Sequence, residues 1–257
     1  MSLATIYQLL LTAGTSASHF PPTLLYNEGW MLRLTLSWFQ KSALQGHMLS
    51  FAEGANWFSE ALLPTPFSPR HRGDSRAESR THADGVLGHF RVGSDGKADV
   101  SLNGDASQFV VAEAKIFAPL SGGTKNAPSY GQAPRNVACM AEMLFRARRS
   151  PSAMTTVSFI VLAPASEIQQ RKFQSQLDKE SIRQSVVTRA KDYGDDLAPW
   201  LEEWFEPCLD RMTVSAVPWE EVISTIGERD PEAHDFMVEF YGRCLEFNAL
   251  PMREKPA

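Results

Sequence analysis

Phe109-Val-Val-Ala-Glu-Ala-Lys-Ile-Phe117 is the stretch on which the fold turns. All but two of its residues are apolar, and β-branched and aromatic side chains dominate, so it predicts a strand. Side chains alternate between the faces of a strand. Val110, Ala112, Ala114 and Ile116 therefore share one face, and Val111, Glu113 and Lys115 share the other. A carboxylate and an ammonium stand side by side in an otherwise apolar segment. Burying such charges is unfavourable unless they pair with each other or bind a metal. The ordinary alternative is a Glu–Lys ion pair on a solvated sheet face.

Downstream, residues 119–129 form a Gly- and Pro-bearing loop, and helical sequence runs from about residue 131 to 149. Pro134 is tolerable there only in the first turn. Residues 155–163 are apolar and β-rich and read as a buried strand. A long polar helix over 167–191 follows, then a strand over 214–217. Pro218-Trp219-Glu220-Glu221 opens another helix, and the chain closes in helical sequence around 236–247.

Upstream, Asp95-Gly96 and Asn103-Gly104 are hairpin-type turn signals. Ala98, Val100 and Leu102 alternate with Asp99 and Ser101 as in a short strand. Residues 82–92 are strand-like, broken by Gly85 and Gly88. Residues 64–80 form a loop carrying Arg70, His71, Arg72, Arg76 and Arg80. Before it, helices are expected over 24–40 and 51–63, the second stopping ahead of Pro64. Strands first, then helix, strand and helices, predict an α/β domain with a mixed central sheet. The organisation is one domain over 1–257: N-terminal helices to about 63, a core over about 80–165, and a helical extension over 166–257.

With 257 residues, 43% of them hydrophobic, the chain can build a sizeable core. Its formal net charge of −5 excludes a broadly basic surface, so any nucleic-acid site must be local. Cys139, Cys208 and Cys244 have neither zinc-ligand nor redox spacing, and they read as reduced thiols of a cytoplasmic protein. The apolar run Leu9-Leu10-Leu11 is too short to span a bilayer, and no membrane partner is expected.

Asp84, in His82-Ala83-Asp84-Gly85-Val86-Leu87, followed by Glu113-Ala114-Lys115, resembles the PD-(D/E)XK nuclease superfamily. Gln132 at the head of the next helix extends the resemblance, which covers about residues 24–163. Ala83 stands in place of the Pro of the family's name. The resemblance implies a restriction-endonuclease-like fold and hydrolysis of a nucleic-acid phosphodiester, DNA in the first instance. It implies Asp84, Glu113, Lys115 and Gln132 as catalytic residues. Mg²⁺, replaceable by Mn²⁺, would be held by Asp84, Glu113 and the carbonyl of Ala114, with Glu28 touching it through water. Mg²⁺ favours such hard oxygen donors, stabilises charge on a phosphate and activates water. Lys115 would position or deprotonate that water, or neutralise developing charge. The same fold without catalysis, binding nucleic acid or a protein, is the alternative function.

Each assignment has an everyday competitor. Glu28 could be a helix-surface acid. Gln132 and Asn136, four apart on one helix face, could serve as caps or surface polarity. Arg135 and Tyr130 are weaker candidates for phosphate contact, and Glu78 and His82 could reach the site or simply be solvated. Asp99 rivals Asp84. In a plain three-strand meander Asp84 would lie two strand spacings, roughly 9–10 Å, from Glu113, and Asp99 would take its place; if the Asp99 stretch is a hairpin insertion, Asp84 stays. The Arg-rich loop could touch phosphates or be solvated. A homodimer would suit cutting of two strands, but the sequence carries no interface signal.

Overall fold

A computed structural model describes residues 3–78, 80–93, 96–124, 126–170, 173–194 and 197–249. Helix α1 (Leu3–Leu11) is followed by α2 (Glu28–Ser42), whose N-cap Asn27 accepts the Trp30 N–H at 3.0 Å. Then come β1 (Asn56–Leu63), β2 (Thr81–Gly88), β3 (Phe90–Val92), β4 (Val100–Leu102) and β5 (Gln108–Ala114). Helix α3 (Gln132–Arg146) leads to β6 (Thr156–Ala163). The C-terminal part holds α4 (Ala165–Gln169), α5 (Gln174–Leu177), α6 (Lys179–Tyr193), α7 (Ala198–Trp200), α8 (Glu206–Arg211), β7 (Thr213–Pro218), α9 (Trp219–Gly227) and α10 (Pro231–Asn248).

The expected mixed sheet is present: five strands in the order β1-β2-β5-β6-β7. β1, β2 and β5 pair antiparallel, and β5, β6 and β7 pair parallel. β3 and β4 pair only with each other, so the Asp99 stretch is the hairpin excursion that one reading anticipated. Of its first turn signal, Asp95 lies outside the described residues. Two glycines keep β2 a strand. A Cβ on Gly88 would lie 2.1 Å from the Gln108 carbonyl oxygen, and one on Gly85 would lie 2.8 Å from Leu32 Cδ2 of α2.

Helices cover both faces. Phe109 and Val111 of β5 pack in one cluster with Val137 and Met140 of α3 and Val186 of α6. Val110, Ala112 and Ala114 pack in the other with Met31 and Leu32 of α2, Val222 of α9 and Phe240 of α10. Among the described residues no helix is long and apolar enough to cross a membrane. All three cysteines are buried and free.

Two expectations are corrected. The helix over 51–63 is not formed: Asn56–Leu63 is β1, paired with β2 on both sides of Glu60. Glu60-Ala61-Leu62-Leu63 suits a helix locally, but the partner strand overrides that preference. The continuous helix over 167–191 is broken into α4, α5 and α6. Asp178 starts α6 afresh by accepting the Ser181 N–H at 2.8 Å; residues 171 and 172, within the expected span, lie outside the described residues.

Candidate active site

The sheet order puts Asp84 and Glu113 on adjacent strands. β2 and β5 pair from Gly88↔Phe109 to Gly85↔Ala112 and then stop. The next residues along are Asp84 and Glu113. There the Asp84 carboxylate replaces the ladder: its Oδ2 accepts the Ala114 N–H at 2.9 Å. On the other side β1 pairs at Ser59↔Gly85 and Ala61↔Ala83 but skips Glu60, which is left-handed at φ 56°. Asp84 thus sits where both neighbouring strands depart from regular pairing.

Lys115 closes the group. Its N–H donates to the Leu162 carbonyl of β6 at 2.8 Å, extending the parallel pairing one residue past β5. Its Nζ lies 3.4 Å from Asp84 Oδ2 and 3.4 Å from Glu113 Oε2. Helix α3 supplies two amides, one turn apart. Gln132 Nε2 donates to Glu113 Oε2 at 2.5 Å, and Asn136 Nδ2 donates to Glu113 Oε1 at 2.9 Å. Gln132 also accepts the Ser121 N–H at 3.2 Å, which ties the preceding loop to the site. The group opens on the Asp84 side: side-chain exposure is 29% for Asp84, 11% for Lys115 and 0% for Glu113.

Two carboxylates share one ammonium in a mostly dry place. Burial first, then the Asp84 charge, hold the Glu113 pKa well above the ordinary carboxylate value, against the pull of Lys115 and the Asn136 amide. Burial alone would lower the Lys115 pKa, but the two carboxylates outweigh it and raise it above the ordinary lysine value. Lys115 is therefore an ammonium here.

Asp84 rather than Asp99 stands beside Glu113. Asp99 is buried in an ion pair with Arg80 and bridges Leu62 at the far side of β1. Gln132 and Asn136 both touch Glu113. The other assignments fare differently. Ala114 gives its N–H to Asp84 and turns its methyl into the opposite cluster. Glu28 begins α2, on the other side of the sheet, where its charge is felt by Cys244 of α10. It does not join the pair: among the described residues no three His, Cys, Asp or Glu side chains gather as a metal cluster. Tyr130 is buried, with its hydroxyl donating to the Pro134 carbonyl at 3.2 Å, so it is not placed to meet a phosphate. Arg135 donates to the Tyr130 carbonyl at 2.7 Å and, with His82 and Gln132, lines a cavity of about 610 Å³ beside the site.

The Arg-rich loop is held by internal contacts. Arg70 pairs with Asp74 at 2.8 Å and donates to the Tyr193 carbonyl at 2.9 Å. Glu78 forms a buried pair with Arg189 of α6 at 2.7 Å. One contributor carries no signal in the sequence: Trp219, fully buried at the start of α9, donates its indole N–H to the Lys115 carbonyl at 3.0 Å. Only the tertiary fold joins these two residues.

The oxygens of Asp84 and Glu113 are of the kind Mg²⁺ takes, and those of Glu113 already accept from Gln132, Asn136 and Lys115. Asp84, Glu113 and the Ala114 carbonyl are hard oxygen donors, and Mg²⁺ is commonly held by one or two carboxylates plus waters and substrate phosphate rather than by a full protein cage. In comparisons with known proteins the chain matches no family model, no curated protein and no solved structure.

Proposed function

We propose that the chain is a metal-dependent nuclease with a restriction-endonuclease-like arrangement of its mixed sheet. The observation that carries this reading is the meeting of Asp84 with Glu113-Ala114-Lys115 on adjacent strands, with Gln132 of α3 bonded to Glu113. These are the residues that the resemblance of the sequence implies as catalytic, which supports the reading. Asp84, Glu113 and the Ala114 carbonyl would hold Mg²⁺ or Mn²⁺, which would supply charge stabilisation at the scissile phosphate and an activated water. Lys115, held as an ammonium by the two carboxylates, would hold an anionic phosphate oxygen and offset charge as it develops. Gln132 and Asn136 would fix the Glu113 carboxylate, and Trp219 would fix the backbone from which Lys115 projects. The substrate would be nucleic acid, DNA in the first instance.

The test is cleavage of plasmid and single-stranded DNA with Mg²⁺ or Mn²⁺. Wild type should cut, and Lys115→Ala should lose on the order of 10²–10⁴-fold in rate, the range for a positioned group in proton transfer or charge stabilisation. Equal cleavage by the two proteins would remove the assignment.

One observation favours a second reading, a non-catalytic member of the same fold. Glu113 is fully buried and already accepts bonds from Gln132, Asn136 and Lys115, an arrangement that also serves as a closed structural ion cluster. Calorimetric titration with Mn²⁺ separates the two. Heat that disappears in Glu113→Ala supports the nuclease, and no heat in either protein supports the closed cluster.

A further inference from the structure

A second cavity, of about 410 Å³, lies on the same side of the sheet as Glu113. Its walls include Arg80, just before β2, Arg91 of β3 and Arg146 at the end of α3. Three guanidinium groups thus come from three separate elements, with Ser101 and the bare backbone of Gly104 between them. Arg80 is paired with Asp99, and Arg146 engages Glu142 through Nε at 2.7 Å. Arg91 is exposed and makes no ion pair among the described residues. A guanidinium carries five donors, so the pairing of Arg146 through one nitrogen leaves others to offer an anion. Among the described residues, the printed ion pairs engage Arg80 and one nitrogen of Arg146 and do not include Arg91.

Arg80 also lines the 610 Å³ cavity that contains Gln132, the residue bonded to Glu113. The two cavities therefore share a wall. Arg91 and Arg146 line one cavity, Arg135 and Gln132 line the other, and Arg80 lines both. In a chain of net charge −5 this is a local concentration of arginines.

We propose that the Arg80–Arg91–Arg146 cavity is a phosphate-binding site that holds the backbone of a nucleic-acid strand away from the position of cleavage. The proposal rests on the nuclease reading for the identity of the polyanion. Its affinity can be measured without any cleavage, which keeps the two separable. The β3–β4 excursion, which leaves the sheet after β2, is then the element that carries the distal contact. Guanidinium groups suit it because they meet phosphate oxygens bidentately.

The experiment is fluorescence anisotropy of a labelled 15-nucleotide single strand with the full chain in EDTA, over a range of salt. Wild type should bind. Arg91→Glu should weaken binding by tenfold or more. Arg91→Ala should lower the slope of log affinity against log salt by about 0.7, the value per phosphate contact for single strands, and Arg91→Lys should restore most of it. Arg146→Gln, which can still bond Glu142, should weaken binding in the same direction. Arg229→Glu makes the same charge change on an exposed residue after α9, on the opposite side of the sheet, and should leave binding unchanged. The proposal is overturned if Arg91→Glu binds like wild type, if Arg229→Glu weakens binding equally, or if wild type binds inorganic tripolyphosphate but no strand. Loss of cleavage activity with this binding pattern intact would count against the nuclease reading alone.

Discussion

The Asp84 carboxylate accepts the backbone N–H of Ala114 at 2.9 Å, so the acid of one strand is bonded inside the Glu113-Ala114-Lys115 tripeptide of the next. That bond stands where the β2–β5 ladder ends. It brings Lys115 Nζ within 3.4 Å of both carboxylates.

Glu113 makes stability depend on pH in a defined sense. Its pKa is raised in the folded chain by burial and by Asp84. The unfolded chain releases this proton near the ordinary carboxylate value, and the folded chain does so only at higher pH. Between the two values the folded chain binds more protons, so stability falls as pH rises through that window. In Glu113→Gln nothing titrates there, and Asn136 Oδ1, which has no partner, can turn to accept from the new amide. In EDTA its thermal midpoint should fall less than that of wild type as pH rises through the window. Parallel pH curves for the two proteins would show that Glu113 is not the titrating group.

Trp219→Phe tests the link to the site backbone. The substitution leaves the buried Lys115 carbonyl without its donor, which costs about 1–3 kcal/mol, to be read by urea unfolding. If cleavage is measured alongside, kcat should fall while KM changes little, because the substrate-facing side chains remain. Unchanged kcat and unchanged stability would mean that the indole bond does not position Lys115.

Removing one member of the buried Glu78–Arg189 pair strands the other. Glu78→Ala or Arg189→Ala should lower stability by about 3–5 kcal/mol. The double variant should lose less than the sum of the two. Additive losses would show that the two residues are not coupled, although they lie 2.7 Å apart.

How far these features were legible depends on the range over which each is determined. The facing of Glu113 and Lys115 follows from the period of a strand and needs only nine residues of sequence. Helix α3 and strand β6 are equally local, because their apolar patterns have one good interpretation. The choice between Asp84 and Asp99 is set by strand order, which is a property of the whole sheet. The strand character of β1 is not local, because Glu60-Ala61-Leu62-Leu63 favours a helix until β2 pairs with it. The role that the resemblance implies for Glu28 depends on which face of the sheet α2 covers, and α2 packs across the sheet from Glu113. The Trp219–Lys115 bond spans 104 positions and the Arg189–Glu78 pair 111, and no local pattern marks either.

The central claim is that Asp84, Glu113 and Lys115 form a hydrolytic centre. The most direct measurement is cleavage of supercoiled plasmid in Mg²⁺ and in EDTA, comparing wild type with Glu113→Gln purified in the same way. The account predicts Mg²⁺-dependent cutting by wild type, none in EDTA, and a loss on the order of 10²-fold or more in the folded variant, as expected when a group that stabilises the transition state is removed. Cleavage at equal rates by both proteins, or no cleavage by a wild type that binds the plasmid and the metal, would contradict it.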